Sequence, residues 1–408
     1  MIYLKKISCL IIVLLVLLFN ISCSDSKIKD VQSSIISDSV GMEEEESPMG
    51  DNIDYINHSF KYLENSYSLL IDATKTVRVA FVGGSVTDGY GATNGTQNGW
   101  PRLVVNELSK KFPASCTELR KSIGGTGSLL AAFLYDTNLA KYAPDILFIE
   151  YAINDYYKEY SYDEVVRYSE SIVRKAYASN PYMDIVYVLT FDTATKTENY
   201  DQLKAHMDVA NKYGLLCIKL SDQVYSHISN TGESINDYLS DHVHPNDKGY
   251  KLYGDLINKS IFDNFPENGV AKAKRTKKSL PEPMSNYMEN STLITADKID
   301  TSTSKGWGRV SEANYYAQSY ITAKKPGSKF YFEFEGTDVG LYYLANSKCG
   351  KISFKVDDRE PMTINAYLID GKPSYFLVSD LPEGNHTVEI TLLDDKVDNF
   401  EIWGLLVN

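Results

Sequence analysis

Short apolar runs alternate with amphipathic stretches from about residue 52 to residue 264, and this alternation constrains the fold most strongly. The apolar runs are typical of buried strands, and the stretches between them place apolar residues on one helical face. Predicted strands cover 77–82, 118–123, 145–151, 184–190 and 215–220, and predicted helices cover 101–112, 163–178, 200–213 and 247–262. Strands that alternate with helices predict a parallel sheet covered by helices on both faces.

The pattern changes near residue 265. Residues 266–283 carry five Lys and Arg residues between prolines, which is typical of a linker, so we assign residues 265–289 to a connection. From about residue 290 to residue 408, apolar and polar residues alternate, as in Phe330, Phe332 and Phe334, with glycine-containing turns between the runs. This pattern predicts a smaller all-β sandwich after a first domain that spans residues 52–264.

The first 51 residues are predicted to lie outside both domains. Lys5 and Lys6 precede an apolar segment of signal-peptide length, and Cys23 follows a small residue at its end. This arrangement resembles a bacterial lipobox and predicts a signal peptide over residues 1–23, with Cys23 lipidated and anchored to a membrane. An ordinary cleaved signal or a single membrane anchor is the alternative. Residues 24–51 are polar and acidic and predict a disordered tether.

Charge and cysteine content exclude several classes of protein. The net charge of −13 disfavours nucleic acid as a partner, and the basic linker does not reverse this in an acidic, exported chain. Cys116, Cys217 and Cys349 have no spacing typical of a metal site or a disulfide framework, so we expect free thiols. We therefore predict an exported lipoprotein of the outer membrane or cell surface, without a metal or cofactor.

A glycine-rich turn follows the first predicted strand and contains the candidate nucleophile. The strand at residues 77–82 continues directly into Gly83, Gly84 and Ser85. Open α/β sheets place their active groups at the carboxyl ends of parallel strands, and glycines permit the close approach of a substrate. Serine needs a base and a group that orients the base, so Ser85 by itself is weak evidence for catalysis.

The candidate base lies far downstream, in the loop before the last predicted helix. Asp241 and His244 are three residues apart, so the carboxylate can hold one imidazole nitrogen while the other accepts the serine proton. We assign a secondary or structural role to His242. A metal site built on His242, His244 and Asp241 is the alternative, but it lacks further ligands at recognisable spacing.

An acyl-transfer site also needs hydrogen-bond donors for the oxyanion. Asn154 follows the strand at residues 145–151, and its amide is one candidate. The glycine-rich loop at residues 123–128 follows another strand and offers backbone N–H groups. Four such segments, each after a predicted strand or before the last helix, favour a common site.

These four segments resemble the four sequence blocks of the SGNH, or GDSL-like, hydrolase superfamily over residues 75–262. GGSVT, IGGTGS and EYAIND are similar to the branch of bacterial carbohydrate esterases that remove acetyl groups from polysaccharides. The resemblance implies a flavodoxin-like α/β/α fold, a Ser85–His244–Asp241 triad, and no cofactor. It implies oxyanion donors from Ser85, Asn154 and the loop that contains Gly124 and Gly125.

The chain departs from the superfamily pattern at three positions. Ala152 stands where glycine is typical in the third block, and Arg120 and Ser122 stand where the second block usually has Asn and Gly. The Ser122 N–H is a candidate donor, whereas Arg120 leaves the identity of the second-block donor open.

The second domain resembles the jelly-roll modules that are joined to such hydrolases. Trp307, Trp403 and four tyrosines, namely Tyr315, Tyr316, Tyr342 and Tyr343, suit either stacking on sugar rings or packing in a core. The domain is expected either to bind glycan or only to form one wall of the active-site cleft. The leading function is deacetylation of a polysaccharide or oligosaccharide through an acyl-enzyme. A lipid or aryl esterase, and a glycan-binding lipoprotein without activity, are the alternatives.

Overall fold

The computed structural model describes residues 62–195, 200–265, 275–314, 316–369, 371–393 and 400–408. The predicted signal peptide, the tether and Cys23 lie outside these residues. Within the described ranges, no helix is both long and apolar enough to cross a bilayer.

The first domain alternates strands and helices, as the sequence predicts. Its strands are β1 (Thr76–Gly83), β2 (Ser115–Ser122), β3 (Ile146–Glu150), β4 (Asp184–Leu189) and β5 (Leu216–Lys219). Its helices are α1 (Glu64–Leu70), α2 (Ser85–Asp88), α3 (Gly95–Asn98), α4 (Trp100–Lys111), α5 (Ser128–Asn138), α6 (Ala152–Tyr157), α7 (Tyr162–Ser179), α8 (Asp201–Tyr213), α9 (Leu220–Thr231) and α10 (Asp247–Asp263). Short 3₁₀ turns occupy Ala140–Tyr142 and Ile235–Asp237.

The five strands form one parallel sheet in the order β2-β1-β3-β4-β5. This is the flavodoxin-like order, so the predicted fold class of the first domain is confirmed. The central strands β3 and β4 are buried along their whole length, whereas β2 is an edge strand with mostly half-exposed side chains. The edge position explains why the sequence signal for β2 is weak.

Two helices of the first domain do not follow from the sequence pattern. In α5, eight consecutive residues from Ser128 to Tyr135 are buried, so the helix has no polar face for a periodicity argument to detect. Helix α9 follows β5 without an intervening loop, and the sequence pattern does not separate the two elements.

The second domain consists of two antiparallel sheets. Its strands are β6 (Thr292–Thr295), β7 (Trp307–Val310), β8 (Tyr320–Ala323), β9 (Lys329–Gly336), β10 (Val339–Ala345), β11 (Lys351–Val356), β12 (Met362–Asn365), β13 (Lys372–Val378), β14 (Gly384–Leu392) and β15 (Phe400–Val407), with a 3₁₀ turn at Ala296–Lys298. One sheet has the order β13-β10-β15-β8-β7, with β6 paired to β15, and the other has the order β12-β11-β14-β9. Side chains of both sheets share one core, which confirms the predicted all-β sandwich.

The sheet that contains β10 and β15 is buried on both faces. In β10, Leu341 and Tyr343 point into the sandwich, whereas Tyr342 between them packs against the first domain. In β15, Trp403 and Leu406 also belong to the core of the first domain. Because successive strand residues point to opposite faces, one sheet serves two cores, and the two domains pack as one body.

Helix α7 holds the connecting segment and the second domain in place. The Glu170 carboxylate accepts hydrogen bonds from the backbone N–H groups of Met284 and Ser285, at 2.7 and 2.9 Å. One turn earlier, Arg167 makes two bonds to Asp338 of the second domain, at 3.1 and 2.8 Å. The predicted linker limits of 265 and 289 stay predictions, but the described part of this segment is bound to α7.

We expect Arg167→Met to lower the free energy of unfolding by about 3 kcal/mol, because it leaves the fully buried Asp338 carboxylate without its cation. The measurement is urea denaturation at neutral pH. Lys110→Met is the matched control, because its pair with Glu107 is exposed and its loss is worth less than about 0.5 kcal/mol. Equal effects of the two substitutions would contradict this role of Arg167.

Candidate active site

The structure brings together the three predicted triad side chains. The Ser85 Oγ lies 2.7 Å from the His244 Nε2, and the His244 Nδ1 lies 2.7 Å from the Asp241 Oδ2. Because a carboxylate can only accept, the Nδ1 carries the proton and the Nε2 is left to accept from the serine hydroxyl. This is the geometry of a nucleophile, a general base and an orienting acid.

Asp241 is held as an anion by its own loop. Partial burial by itself would raise the pKa of the Asp241 carboxyl, but bonds from the backbone N–H groups of His244 and Val243, together with the imidazole, lower this pKa to about 2. Both N–H groups lie 2.8 Å from the Oδ1, which leaves the Oδ2 for the His244 ring. The three-residue spacing is therefore an Asx-type turn that aims the imidazole.

The turn before Ser85 requires glycine because Asn154 fills the space beside it. A Cβ on Gly84 would lie 2.3 Å from the Asn154 Oδ1 and 2.7 Å from its Nδ2. No side chain fits there, so the backbone next to the nucleophile approaches the Asn154 amide directly. The structure therefore places Asn154, at the first turn of α6, beside the nucleophile turn as the sequence predicts.

Glu150, the last residue of β3, supports the nucleophile turn through hydrogen bonds. Its wholly buried carboxyl accepts from the Thr87 hydroxyl at 2.8 Å and the Thr190 hydroxyl at 2.7 Å. The backbone N–H groups of Gly84 and Thr87 also bind it. One buried carboxyl thus ties together β3, the segment after β4, and the short helix α2 that begins at Ser85.

Of the two second-block candidates, the structure places Gly124 beside the nucleophile and turns Ser122 away from it. The Ile123 N–H donates to the Gly83 carbonyl, so Ser122 directs its own N–H away from β1, toward the open edge of the sheet. The Ser122 hydroxyl donates to Asp88 at 2.9 Å. By contrast, a Cβ on Gly124 would lie 3.6 Å from the Ser85 Cβ, which places the Gly124 backbone against the nucleophile.

Gly125 gives this loop a backbone conformation that favours glycine. Its φ of +72° lies in the left-handed region, and nothing lies within 4 Å of the position of a Cβ. Of the donors proposed from the sequence, the Ser85 N–H, the Gly124 N–H and the Asn154 amide are adjacent to the serine, and Ser122 is not.

Arg120, which replaces the usual Asn, has a structural role. Its guanidinium donates to the carbonyl oxygens of Asp88 and Gly95, at 3.2 and 2.8 Å, and to Glu118 at 2.8 Å. It therefore fixes the segment that follows Ser85 and does not act as an oxyanion donor.

A buried network behind Asn154 holds the Gly124 loop. The neighbouring Asp155 accepts from the Ser128 N–H at 2.8 Å and lies 2.8 Å from the His206 Nε2. The Gly127 N–H donates to the hydroxyl of Tyr375, in strand β13 of the second domain, at 2.9 Å. The second domain therefore contacts the loop that carries the candidate oxyanion donor Gly124.

Sequence reasoning missed Glu150, His206 and Tyr375 because each acts through a partner far away in the chain. Glu150 and Asp155 are the first and last residues of the EYAIND segment, so charged residues at a buried, otherwise apolar strand end were the available signal. No local signal marks Tyr375.

The aromatic residues of the second domain are mostly buried in the cores of the two domains. Trp307 and Trp403 are 6% and 2% exposed, and Tyr342 and Tyr343 are buried, so none of these four presents a face for sugar stacking. Tyr316 is exposed and stacks on Trp403. Partial burial and the Asp88 carboxylate raise the pKa of Tyr316. Tyr315 lies outside the described residues.

The two imidazoles of the loop serve different partners. His242 binds Asp192 and His244 binds Asp241 and Ser85, so they do not converge on a shared ligand. In the part of the chain that the structure describes, no group of three His, Cys, Asp or Glu side chains is placed to hold a metal ion. Cys217 and Cys349 are buried free thiols, and Cys116 is a partly exposed one.

Each of the two domains matches a family of known proteins. Residues 81–252 match the GDSL-like Lipase/Acylhydrolase family, and residues 307–408 match the family described as carbohydrate esterase 2 N-terminal. A search of the curated proteins found no match.

Two similar solved structures share the two-domain fold. A two-domain esterase active on acetylated mannans has a TM-score of 0.74 at 20% identity, over 85% of this chain and 95% of that one. Such an esterase co-crystallized with mannopentaose has a TM-score of 0.73 at 20% identity, over 86% and 96%. At this identity the likeness concerns the fold, and it extends over both domains.

The stability contributed by Glu150 should depend on pH. Burial raises the pKa of its carboxyl to about 7, from 4.5 in an unfolded chain, although four donors oppose this shift. The contribution of Glu150 is therefore fully present below pH 4.5 and is lost as the pH rises to about 7. Relative to Glu150→Gln, the wild type should lose about 3 kcal/mol of unfolding free energy across this interval.

This comparison uses urea denaturation of both proteins at closely spaced pH values. The difference between them isolates Glu150, because all other titrating groups are common to both proteins. A difference that stays constant from pH 4.5 to pH 7.5 would show that the buried carboxyl does not titrate in this range.

Loss of the Tyr375 hydroxyl should reduce turnover. Tyr375→Phe leaves the Gly127 N–H without its partner, so the Gly124 loop is held less firmly, and we expect kcat for a small acetyl ester to fall about tenfold. Tyr342→Phe is the matched control, because the Tyr342 hydroxyl is buried in the same sheet without a partner among the described residues. Unchanged kcat in Tyr375→Phe would refute a role for the second domain in positioning this loop.

Proposed function

We propose that this chain, a GDSL-like hydrolase joined to a carbohydrate esterase 2 N-terminal domain, removes O-acetyl groups from a polysaccharide or oligosaccharide through an acyl-enzyme. The observation that carries the proposal is the continuous chain of hydrogen bonds from Ser85 through His244 to Asp241, at 2.7 Å for each link between side chains.

The first half of the reaction acylates the serine. The Ser85 Oγ attacks the ester carbonyl carbon while the His244 Nε2 takes the hydroxyl proton, and Asp241 stabilises the imidazolium. When the tetrahedral intermediate collapses, the bond to the sugar oxygen breaks, and His244 returns the proton to this oxygen. The products are the free sugar hydroxyl and an acetylated Ser85.

The second half reverses these roles with water as the nucleophile. His244 takes a proton from water, the resulting oxygen attacks the acetyl carbon, and the Ser85 oxygen leaves with the proton that His244 holds. In both halves the oxyanion forms beside the Ser85 N–H, the Gly124 N–H and the Asn154 amide, and no metal is needed for the proton balance.

Three observations support a glycan substrate over a lipid. The second domain matches a carbohydrate esterase family, and an esterase with the same two-domain fold is active on acetylated mannans. Tyr90 is 64% exposed and packs edge-on against the His244 ring, 4.6 Å between centroids. An exposed aromatic ring at the catalytic base suits the apolar face of a sugar.

Anchoring to a membrane stays a prediction from the sequence. The lipobox-like segment that ends at Cys23 supports an exported lipoprotein, with the acidic residues 24–51 as a tether between the membrane and the enzyme. Such an anchor would hold the enzyme at the outer membrane or cell surface, where polysaccharides are encountered.

Acetate release from acetylated mannan and acetylated xylan, beside short- and long-chain p-nitrophenyl esters, tests this function. We expect the wild type to release acetate from at least one glycan. In Ser85→Ala this rate should fall by at least about 10³-fold, because the nucleophile is absent. Ser109→Ala is the control for a serine outside the site. Activity on long acyl esters only would indicate a lipid esterase, and inactivity of the folded protein on every ester would indicate a binding protein.

A further inference from the structure

A second histidine–carboxylate pair lies beside the triad. His242, between Asp241 and His244 in sequence, places its Nδ1 2.8 Å from the Asp192 Oδ1. The Asp192 side chain is fully buried just after β4, whereas the His242 side chain is 54% exposed. The proposed reaction gives no role to this pair, although His242 lies in the same loop as the catalytic base.

Asp192 also holds a tyrosine. The Tyr157 hydroxyl donates to the Asp192 Oδ2, and the Ala194 N–H donates to the Oδ1 at 2.7 Å. Tyr157 is 53% exposed and ends α6, three residues after Asn154. Partial burial and the Asp192 carboxylate raise the pKa of Tyr157, so it stays a phenol and a donor. One buried carboxylate therefore fixes two exposed rings.

The position of these rings follows from the elements that carry them. Residues three apart on a helix are neighbours on its surface, so Tyr157 lies one turn beyond the oxyanion donor Asn154. The His242 carbonyl accepts from the Thr193 N–H at 2.9 Å, which fixes the loop two residues before His244. The two rings, joined through Asp192, therefore lie on the element that carries Asn154 and on the loop that carries His244.

The imidazole of His242 presents one unused hydrogen-bonding atom. Because Asp192 can only accept, the proton lies on the Nδ1, and the Nε2 of the neutral ring is an acceptor. Among the described residues, no protein atom binds this Nε2. A matching ligand donates a hydrogen bond from a neutral O–H group to the Nε2 and has an apolar face that packs on the Tyr157 ring. A sugar has both an O–H group and an apolar face.

We propose that His242 and Tyr157 form a subsite for the sugar ring that bears the ester, in which the His242 Nε2 accepts a hydrogen bond from a hydroxyl near the esterified carbon. The inference rests on the proposed deacetylation and names a specificity-determining contact for it. Asp192 is a positioning residue, because it fixes both rings and does not itself meet the sugar.

The substitution that tests this contact is His242→Asn. The Asn amide nitrogen takes the place of the Nδ1 and keeps the bond to Asp192, but the side chain ends before the Nε2. We expect kcat/KM for acetylated manno-oligosaccharide to fall about tenfold, mainly through KM, since one hydrogen bond to substrate is lost. The kcat/KM for p-nitrophenyl acetate, which has no sugar ring, should change less than about twofold.

Two further variants separate sugar contact from structural support. Tyr157→Phe keeps the ring but removes its bond to Asp192, and should retain more of the glycan activity than Tyr157→Ala. His227→Ala removes another partly exposed histidine, which binds Tyr238 rather than the loop of the base, and should leave both substrates unaffected.

Each outcome decides the proposal. Equal losses on the glycan and on p-nitrophenyl acetate in His242→Asn would overturn it, since His242 would then act only through the catalytic loop. Unchanged activity on both substrates would also overturn it while leaving the proposed function intact. A wild type that hydrolyses p-nitrophenyl acetate but no acetylated glycan would overturn the proposed function and, with it, the subsite.

Discussion

The arrangement of the site depends on carboxylates buried at the carboxyl ends of the parallel strands. Glu150 at the end of β3 binds the turn that carries Ser85, and Asp192 after β4 binds the loop that carries His244. A buried carboxylate is costly unless several donors surround it, so each one orders the segments that provide these donors. Asp155 orders the Gly124 loop in the same way, and the catalytic groups are therefore positioned before any substrate binds.

The second domain is part of this arrangement rather than an appended module. Its inner sheet is buried on both faces, with Tyr342 and Trp403 in the core of the first domain, and Tyr375 reaches the oxyanion loop from β13. Most of its aromatic residues are buried in these two cores. The exposed rings are instead Tyr90, which packs against His244, and Tyr157 of the first domain, together with Tyr316 of the second.

The strands, the order of the domains and the triad were accessible from the sequence because each depends on short-range pattern. Asp241 and His244 form a local turn, and Ser85 follows its strand directly, so strand ends and spacing were enough to select them. The sequence did not show that the Ser122 N–H points away from β1, because the direction of an N–H group depends on the register with the neighbouring strand. It also gave no role to Arg120, which binds the carbonyl oxygens of Gly95 and Asp88, 25 and 32 residues earlier in the chain.

The sequence by itself determined the fold class and selected Ser85, Asp241 and His244 as candidate site residues, since hydrophobic periodicity and strand-end residues are properties of neighbouring positions. Only the tertiary structure decided which backbone N–H faces the nucleophile, which carboxylates support the turns, and how the second domain meets the first. These features join residues as far apart as Gly127 and Tyr375, and contacts between distant segments leave no periodic signal in either of them.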